Sequence, residues 1–221
     1  SYRWLTVISV LFVTCLITAN IIAVKLIAIG PFVVPAGVII FPVSYIFGDI
    51  LTEVYGYSVA RRVIWTGFLG NLLAVAAIWL AQVLPAASFW EGQRSYETIL
   101  GYTPRLLAAS FLAYLVGEFL NSFVLARMKT VTRGRWLWSR TIGSTLAGEG
   151  ADSLVFITVA FFGAMAAGPL GAMVVTQWLF KVAYEVAATP LTYGAVAFLK
   201  RQEKVDSYDV GTKFNPFLIA E

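Results

Sequence analysis

Three pairs of ionisable residues stand at helical spacing inside apolar stretches of this sequence. The members of each pair are three or four residues apart, so each pair shares one face of a helix. The pairs are Asp49 with Glu53, Glu149 with Asp152, and Lys181 with Glu185, and a further acid, Glu118, stands alone. Because a charge at the centre of a membrane-spanning helix costs about 3 kcal/mol, such residues must face inward and be paired or hydrated. The set predicts a polar cavity.

Four of these residues fall at similar depths in the apolar stretches that contain them. With a helical rise of about 1.5 Å per residue, each lies about 14 to 21 Å from one end of its stretch. The four are Asp49, Glu118, Glu149 and Lys181. Since the hydrocarbon core of a bilayer is about 30 Å thick, all four belong to one central layer. We expect a single site to collect them.

Neutral polar residues extend the charged faces. Thr145 lies one helical turn before Glu149, and Gln177 lies one turn before Lys181. The other candidate site residues are Asn20, Tyr45, Asn121, Asp152, Tyr184 and Glu185. Each neutral residue, taken alone, also fits a hydrogen bond that holds two membrane helices together.

A cavity of acids, amides and one lysine suits a flat polar heterocycle. A guanine-like edge presents two adjacent donors that one carboxylate accepts together, while amides and a lysine meet its carbonyl. We expect Glu149 and Asp49 to accept from the donors and Lys181 to donate to the carbonyl. Aromatic rings such as Tyr45 and Tyr184 offer stacking surfaces. Acids that lack a cation also offer sites for a coupling proton.

The charged pairs have structural interpretations as well. Lys181 and Glu185 can form an ion pair within one helix. Glu118 and Glu149 can each be protonated acids that hydrogen-bond between helices. These alternatives remain open at the level of the sequence.

Glu53 has a structural interpretation of its own. It lies near one predicted membrane boundary, where Arg61 or Arg62 can pair with it. Lys25 is expected to reach the opposite interface with its long side chain. Asp49 lies deeper in the predicted span, and no basic residue lies close enough in the sequence to be an evident ion-pair partner.

The elements that position these residues are membrane helices. The chain of 221 residues is 59% hydrophobic and 13% charged, whereas soluble domains are about 45–50% apolar. Apolar runs of helix length fall at 4–29, 37–56, 59–84, 104–127, 140–163 and 170–199. The sequence predicts an all-α polytopic membrane protein, with six transmembrane helices in one bundle over residues 1–200 and a C-terminal tail at 201–221.

Basic residues predict the orientation of these helices. With both termini in the cytoplasm, nearly all loop Lys and Arg residues fall on the cytoplasmic side. The outer loops then hold only Arg94 and Arg105. Because cytoplasmic loops of membrane proteins carry an excess of positive charge, both termini are predicted to be cytoplasmic.

Composition excludes several functional classes. The sequence contains no histidine and one cysteine, Cys15, which excludes Ser-His nucleophiles, His-Glu-x-x-His metal sites and internal disulfides. We predict no catalytic residue, no metal and no cofactor. The net charge of +4 is explained by membrane topology, so no nucleic-acid partner is expected. An intramembrane enzyme that uses paired acids is the alternative of another class.

Several stretches resemble a known family. They are TANIIAVKLI (18–27), PAGVIIFPVSYIFGDILTEVYGYSVARR (35–62), SRTIGSTLAGEGADSLVFITVAF (139–161), KVAYEVAATPLTY (181–193) and KFNPF (213–217). Together they resemble the queuosine precursor transporter family, the YhhQ-type branch of the vitamin uptake transporters. The stretch 35–62 is the most specific of them. By motif, the residues of interest are Asn20, Lys25, Asp49, Glu53, Arg61, Thr145, Glu149, Asp152, Lys181 and Glu185.

The resemblance implies a transporter in the bacterial inner membrane. Such a protein imports 7-deazaguanine bases, 7-cyano-7-deazaguanine foremost, for synthesis of the tRNA nucleoside queuosine. Its partners would be that small molecule, membrane lipid and, through faces of small residues, a second copy in a homodimer. The family is also related to substrate-binding subunits of energy-coupling-factor transporters, so such a subunit is the first alternative. Glu118 lies outside the matching stretches, and its place in the site rests on depth.

Overall fold

A computed structural model describes residues 2–29, 32–101, 104–163 and 166–218. The helices are α1 (Leu5–Ile22), α2 (Phe41–Tyr55), α3 (Tyr57–Val83), α4 (Gln93–Leu100), α5 (Pro104–Val131), α6 (Leu137–Phe161) and α7 (Ala167–Glu203). Five of the predicted apolar runs each overlap one long helix, α2, α3, α5, α6 or α7. The predicted helical class is therefore confirmed. The short helix α4 lies in the predicted outer loop.

A hairpin replaces the end of the first predicted helix. The sequence predicts a helix over 4–29, but α1 ends at Ile22. The residues that follow form strand β1 (Leu26–Ile29), which pairs antiparallel with β2 (Phe32–Pro35). A short apolar run fits a strand as well as a helix, and the Gly-Pro dipeptide at 30–31 is a turn signal.

The helices differ in how far they resemble simple membrane spans. Among the described residues, four helical stretches are long and apolar enough to cross a membrane: α1, α3, α7 and Gln93–Val131, which contains α5. Helix α2 has only 15 residues, and α6 carries several charges along its length. Helix α2 packs inside the bundle, and α6 buries its charged residues Arg140, Glu149 and Asp152 while it packs against α5 and α7, as expected where charge must avoid lipid.

Helix α2 lies at the centre of the bundle. Its residues from Gly48 to Tyr55 are all buried, and it packs against α1, α3, α5 and α7. Its apolar side chains Ile50, Leu51 and Val54 belong to the main hydrophobic core together with Phe12 of α1. Because every side of α2 is covered, its two acids cannot reach solvent directly.

Helices α5 and α6 approach closely through two glycines. A Cβ atom on Gly148 would lie 2.6 Å from Cβ of Asn121 and 2.8 Å from the carbonyl oxygen of Gly117. A Cβ atom on Gly117 would lie 2.8 Å from Cβ of Asp152. Only glycine fits such distances, and the close packing places the polar residues of α5 beside those of α6.

The C-terminal tail packs along one end of the bundle after α7. The amide of Ser207 donates to the carbonyl oxygen of Val54 at 3.2 Å, and the Asp209 carboxylate accepts from the amide of Tyr57 at 3.1 Å. The junction between α2 and α3 is Gly56, whose φ of 86° favours glycine. The tail therefore covers the point where α2 ends and α3 begins.

Further along, the tail accepts hydrogen bonds through its own main chain. The hydroxyl of Tyr57 donates to the carbonyl oxygen of Phe214 at 3.1 Å, and the indole of Trp65 donates to that of Pro216 at 2.8 Å. Residues 219–221 of the predicted tail lie outside the described residues.

The α5–α6 contact gives a prediction for stability. We expect Gly148→Ala to lower the free energy of unfolding by about 1–3 kcal/mol, because the added methyl group overpacks the contact with Asn121. The control is Gly194→Ala, since Gly194 is helical with no atom within 4 Å of an added Cβ. That change should be neutral or stabilising by up to about 1 kcal/mol. Thermal unfolding in detergent compares them, and equal midpoints would contradict the expectation.

Candidate functional site

A cavity of about 340 Å³ lies between α1, α5, α6 and α7. This volume falls within the range of about 300–1,000 Å³ that small-molecule sites occupy. Most of the lining is apolar, and its polar members include Asn20, Ser110, Asp152, Gln177 and Lys181. A few polar groups in an apolar cavity are typical of a site that orients a small ligand.

The cavity and the C-terminal tail lie at opposite ends of the bundle. The cavity is lined by the last turns of α1 and by the first half of α7, including Met173 and Gln177. The tail instead contacts the end of α2 and the start of α3, at Val54 and Tyr57. One end of the molecule therefore holds an accessible cavity and the other is covered by chain.

Lys181 links the cavity to α6. Its ammonium nitrogen lies 2.6 Å from Oε2 of Glu149 and is also bonded to the Asp152 carboxylate. The same nitrogen lies 4.6 Å from the ring centroid of Phe41, a cation–π distance. All three charged side chains are at least nine-tenths buried. Two acids therefore share one cation at the cavity wall.

The intrahelical pair that the sequence allows is not formed. Lys181 turns from α7 toward α6, and the carboxylate oxygens of Glu185 have no hydrogen-bond partner among the described residues. The physical reason is that Glu149 and Asp152 share one face of α6, so two acids together attract the lysine more strongly than one.

Further from the cavity lies a layer of buried polar side chains. The amide of Asn121 donates to Oδ1 of Asp49 at 2.7 Å. Glu118 packs on Gly48, where an added Cβ would lie 3.0 Å from Oε2 of the acid. Several buried side-chain oxygens in this layer have no hydrogen-bond partner within the described ranges; they belong to Tyr45, Asp49, Glu118, Asn121, Thr145, Ser153 and Glu185.

The predicted site residues therefore divide into two groups. Four line the cavity, namely Asn20, Asp152, Gln177 and Lys181. The others lie outside the lining, namely Tyr45, Asp49, Glu118, Asn121, Thr145, Glu149, Tyr184 and Glu185. Of these, Glu149 contacts the cavity indirectly through Lys181. Sequence reasoning missed Phe41, although its position at the start of the most specific matching stretch of α2 was a usable signal.

The predicted partners of Glu53 are wrong. Its carboxylate lies 2.8 Å from Nη2 of Arg140 and 2.7 Å from Nζ of Lys200. Arg61 instead donates to the main-chain carbonyl groups of the tail at 213 and 215, at 3.1 and 2.8 Å. Arg62 donates to the main chain of its own helix, at an exposed position. The turn at Gly56 directs α3 away from Glu53, so neighbours in sequence are not neighbours in space.

Lys129 completes this second charged cluster. Its ammonium donates to the main-chain carbonyl oxygen of Glu53 at 2.5 Å, to the Asp206 carboxylate at 2.5 Å and to the carbonyl oxygen of Ser207 at 2.6 Å. Lys200 lies 2.8 Å from the same Asp206 oxygen. The cluster ties the tail to α2, α5 and α7. Lys25, the remaining predicted structural residue, is exposed between α1 and β1.

Asp206 is the member of this cluster that titrates outside the helices. Burial acts to raise the pKa of its carboxyl, but the hydrogen bonds from Lys129 and Lys200 outweigh it and hold that pKa below the ordinary value of 3.8. The carboxylate form therefore stabilises the tail at neutral pH.

These features define a helical bundle, with four stretches apolar enough to cross a membrane among the described residues, that holds a cavity at one end and a charged cluster at the other. The family model described as "Putative vitamin uptake transporter" matches residues 35–195. The chain belongs to this family of vitamin uptake transporters. No solved structure matches the chain.

Individual relatives agree with the family. The chain is 27% identical over 189 residues to the "Probable queuosine precursor transporter" of Bacillus subtilis strain 168, covering 85% of this chain and 82% of the relative. It is 26% identical over 162 residues to the "Queuosine precursor transporter" of Escherichia coli K12, covering 72% and 68%. A Haemophilus influenzae relative is 29% identical over 126 residues, covering 57% and 51%. The resemblance to queuosine precursor transporters is confirmed.

The charged cluster gives a prediction for the tail. We expect Asp206→Asn to increase deuterium exchange at the Ser207 amide, because Lys129 and Lys200 lose the carboxylate that holds the tail. Since the pKa of Asp206 is lowered by folding, its stabilising effect is complete above pH 3.8 and is lost as the pH falls further. Wild-type protection should therefore be constant from about pH 7 to 5 and decline only below about pH 4. Glu91→Gln, at an exposed position, is the control, and equal exchange in both variants would contradict this role.

Proposed function

We propose that this protein imports queuosine precursors, with 7-cyano-7-deazaguanine as the preferred base. The observation that carries this proposal is the cluster of Lys181, Asp152 and Glu149 at the wall of a cavity of suitable volume. The names of the relatives support the substrate class. The chemistry of a 7-deazaguanine base fits the polar groups of the wall.

The base would bind through its polar edge. The adjacent N–H and NH₂ donors of the base match a carboxylate, and Asp152 is the carboxylate that lines the cavity. Lys181 would donate to the ring carbonyl, while Glu149 behind it holds the ammonium in place. The amides of Asn20 and Gln177 offer both donors and acceptors to the remaining edge. This proposal moves the acceptor role from Asp49, which lies away from the cavity, to Asp152.

Aromatic side chains of the lining supply the flat surfaces that a bicyclic base requires. Phe41, Phe156 and Phe180 all line the cavity, and aromatic rings stack favourably on one another in offset geometry. Aromatic rings and polar groups that line the same cavity would select a planar heterocycle over a flexible polar molecule.

We further propose a topology of six membrane spans with both termini in the cytoplasm of a bacterial inner-membrane protein. The spans would be α1, α2, α3, α5, α6 and α7, with α4 at the outer surface. In this orientation the cavity faces outward and the cluster around Glu53 closes the cytoplasmic side. The surplus of Lys and Arg near the tail agrees with that assignment. Import then requires the cluster to open after the base has bound.

Two variants test the binding site. We expect Glu149→Gln and Lys181→Ala each to weaken binding of 7-cyano-7-deazaguanine to the purified protein by about 30-fold or more. Lys181→Ala leaves two buried acids without their cation, and Glu149→Gln removes one of the two acids that hold the Lys181 ammonium in place. Uptake by cells that depend on external precursor should be abolished. Calorimetry measures binding, and a monodisperse elution profile shows that folding is intact.

Matched controls come from the exposed outer segment. Glu91→Gln and Arg94→Ala change the same types of charge at exposed positions and should bind like the wild type. Near-normal binding by both site variants would contradict the proposed site. Reconstitution of the purified protein alone in liposomes separates a complete transporter from a substrate-binding subunit, since the latter would transport only with added ATPases.

A further inference from the structure

Glu118, in the middle of α5, is a buried acid that the cavity does not explain. Its side chain has no solvent exposure, and it is not part of the cavity lining. Both of its carboxylate oxygens lack a hydrogen-bond partner in the part of the chain that the structure describes. The backbone of α2 closes on it at Gly48, where an added Cβ would lie 3.0 Å from Oε2.

The surroundings of Glu118 carry more negative than positive charge. The titratable groups that interact with it are Tyr114 of its own helix, Tyr45 and Asp49 of α2, Glu149 and Asp152 of α6, and Lys181 of α7. Lys181 is already bonded to both acids of α6. The contact with α3 is a hydrogen bond in which the Tyr114 hydroxyl donates to the main-chain carbonyl oxygen of Ile64. No cation is left over for Glu118 within this set.

A buried carboxylate in such surroundings is far more stable when it is protonated. Ionisation without a cation or a hydrogen-bond donor is strongly unfavourable in an apolar interior. A bound metal ion is a poor substitute, because no group of three or more acidic, histidine or cysteine side chains among the described residues converges to hold one. The chemistry of this position therefore favours a proton as its ligand.

We propose that Glu118 is a proton-binding site that couples inward movement of a proton to import of the base. The proposal rests on the proposed transport function. A proton delivered by water in the cavity would form an O–H bond at the Glu118 carboxylate as the O–H bond of the hydronium donor breaks, on the side where the neighbouring Asp152 forms part of the wall. The O–H bond at Glu118 would break when the cluster around Glu53 opens and water enters from the cytoplasm. Asp49 would offer an intermediate position on that route, since its carboxylate interacts electrostatically with both Glu118 and Glu53.

Proteoliposomes containing the purified protein test this coupling. The external solution is made one pH unit more acidic than the lumen, with the membrane potential clamped by potassium and valinomycin. For one proton per base, wild-type protein should accumulate 7-cyano-7-deazaguanine about tenfold, because one pH unit is a tenfold ratio of proton activity. Glu118→Gln, which cannot titrate, should show no accumulation, whereas Glu118→Asp should retain part of it. Glu91→Gln is the control and should behave like the wild type.

Binding provides a second readout that a purely structural role would not change. The affinity of the wild type for the base should vary with pH between 5 and 8, and calorimetry in buffers of different ionisation enthalpy should detect proton exchange on binding. In Glu118→Gln the pH dependence should be smaller by the contribution of one proton. If that variant fails to fold, Glu118→Asp and the wild-type gradient experiment still decide the question.

The outcomes separate the two proposals. Accumulation by Glu118→Gln equal to that of the wild type overturns the proton site. So does a wild-type protein that exchanges the base but ignores the pH gradient, or one driven by a sodium gradient instead. A wild-type protein that neither binds nor exchanges any 7-deazaguanine base contradicts the transport function itself.

Discussion

The burial of Glu53 is the constraint on which the closed end of the molecule depends. Its carboxylate is completely removed from solvent, so its charge is tolerable only if cations reach it from other helices. Arg140 of α6 and Lys200 of α7 supply direct contacts, and Lys129 of α5 approaches at 3.6 Å. Lys129 and Lys200 also contact Asp206, so three cations surround two carboxylates in this cluster. The ion pairs of Glu53 therefore join four helices, α2, α5, α6 and α7, at this end.

The opposite half of the molecule has more acidic than basic side chains. At the cavity wall two acids share Lys181, and further acids in the adjoining layer have no cation of their own. Acids without a cation therefore lie between the charge-paired cluster around Glu53 and the cavity. A ligand that brings hydrogen-bond donors, or a proton, complements that layer.

Sequence reasoning located the helices and the inward-facing acids because the cost of charge in lipid leaves few arrangements. Lys181, Asp152, Gln177 and Asn20 come from three helices and line one cavity. Asp49, Glu118 and Glu149, which the sequence placed at the depth of Lys181, lie outside that lining. The partners of Glu53 were not predictable in this way. In the sequence, Arg140 looked like a loop residue that sets membrane topology. Its contact with Glu53 depends on how α6 packs near α2, and no local sequence pattern predicts that packing. The hairpin at 26–35 was missed because a short apolar run fits either structure.

The way in which the tail is held has a consequence for its evolution. Arg61 and Trp65 of α3 donate to carbonyl groups of the tail main chain, and the tail side chains at those positions do not take part in these bonds. Every amino acid carries the same carbonyl group, so the tail residues at 213, 215 and 216 can be exchanged without losing the bonds. The donors on α3 have no such freedom. The side-chain identities that these bonds require therefore belong to α3, and the tail contributes only its length and the path of its main chain.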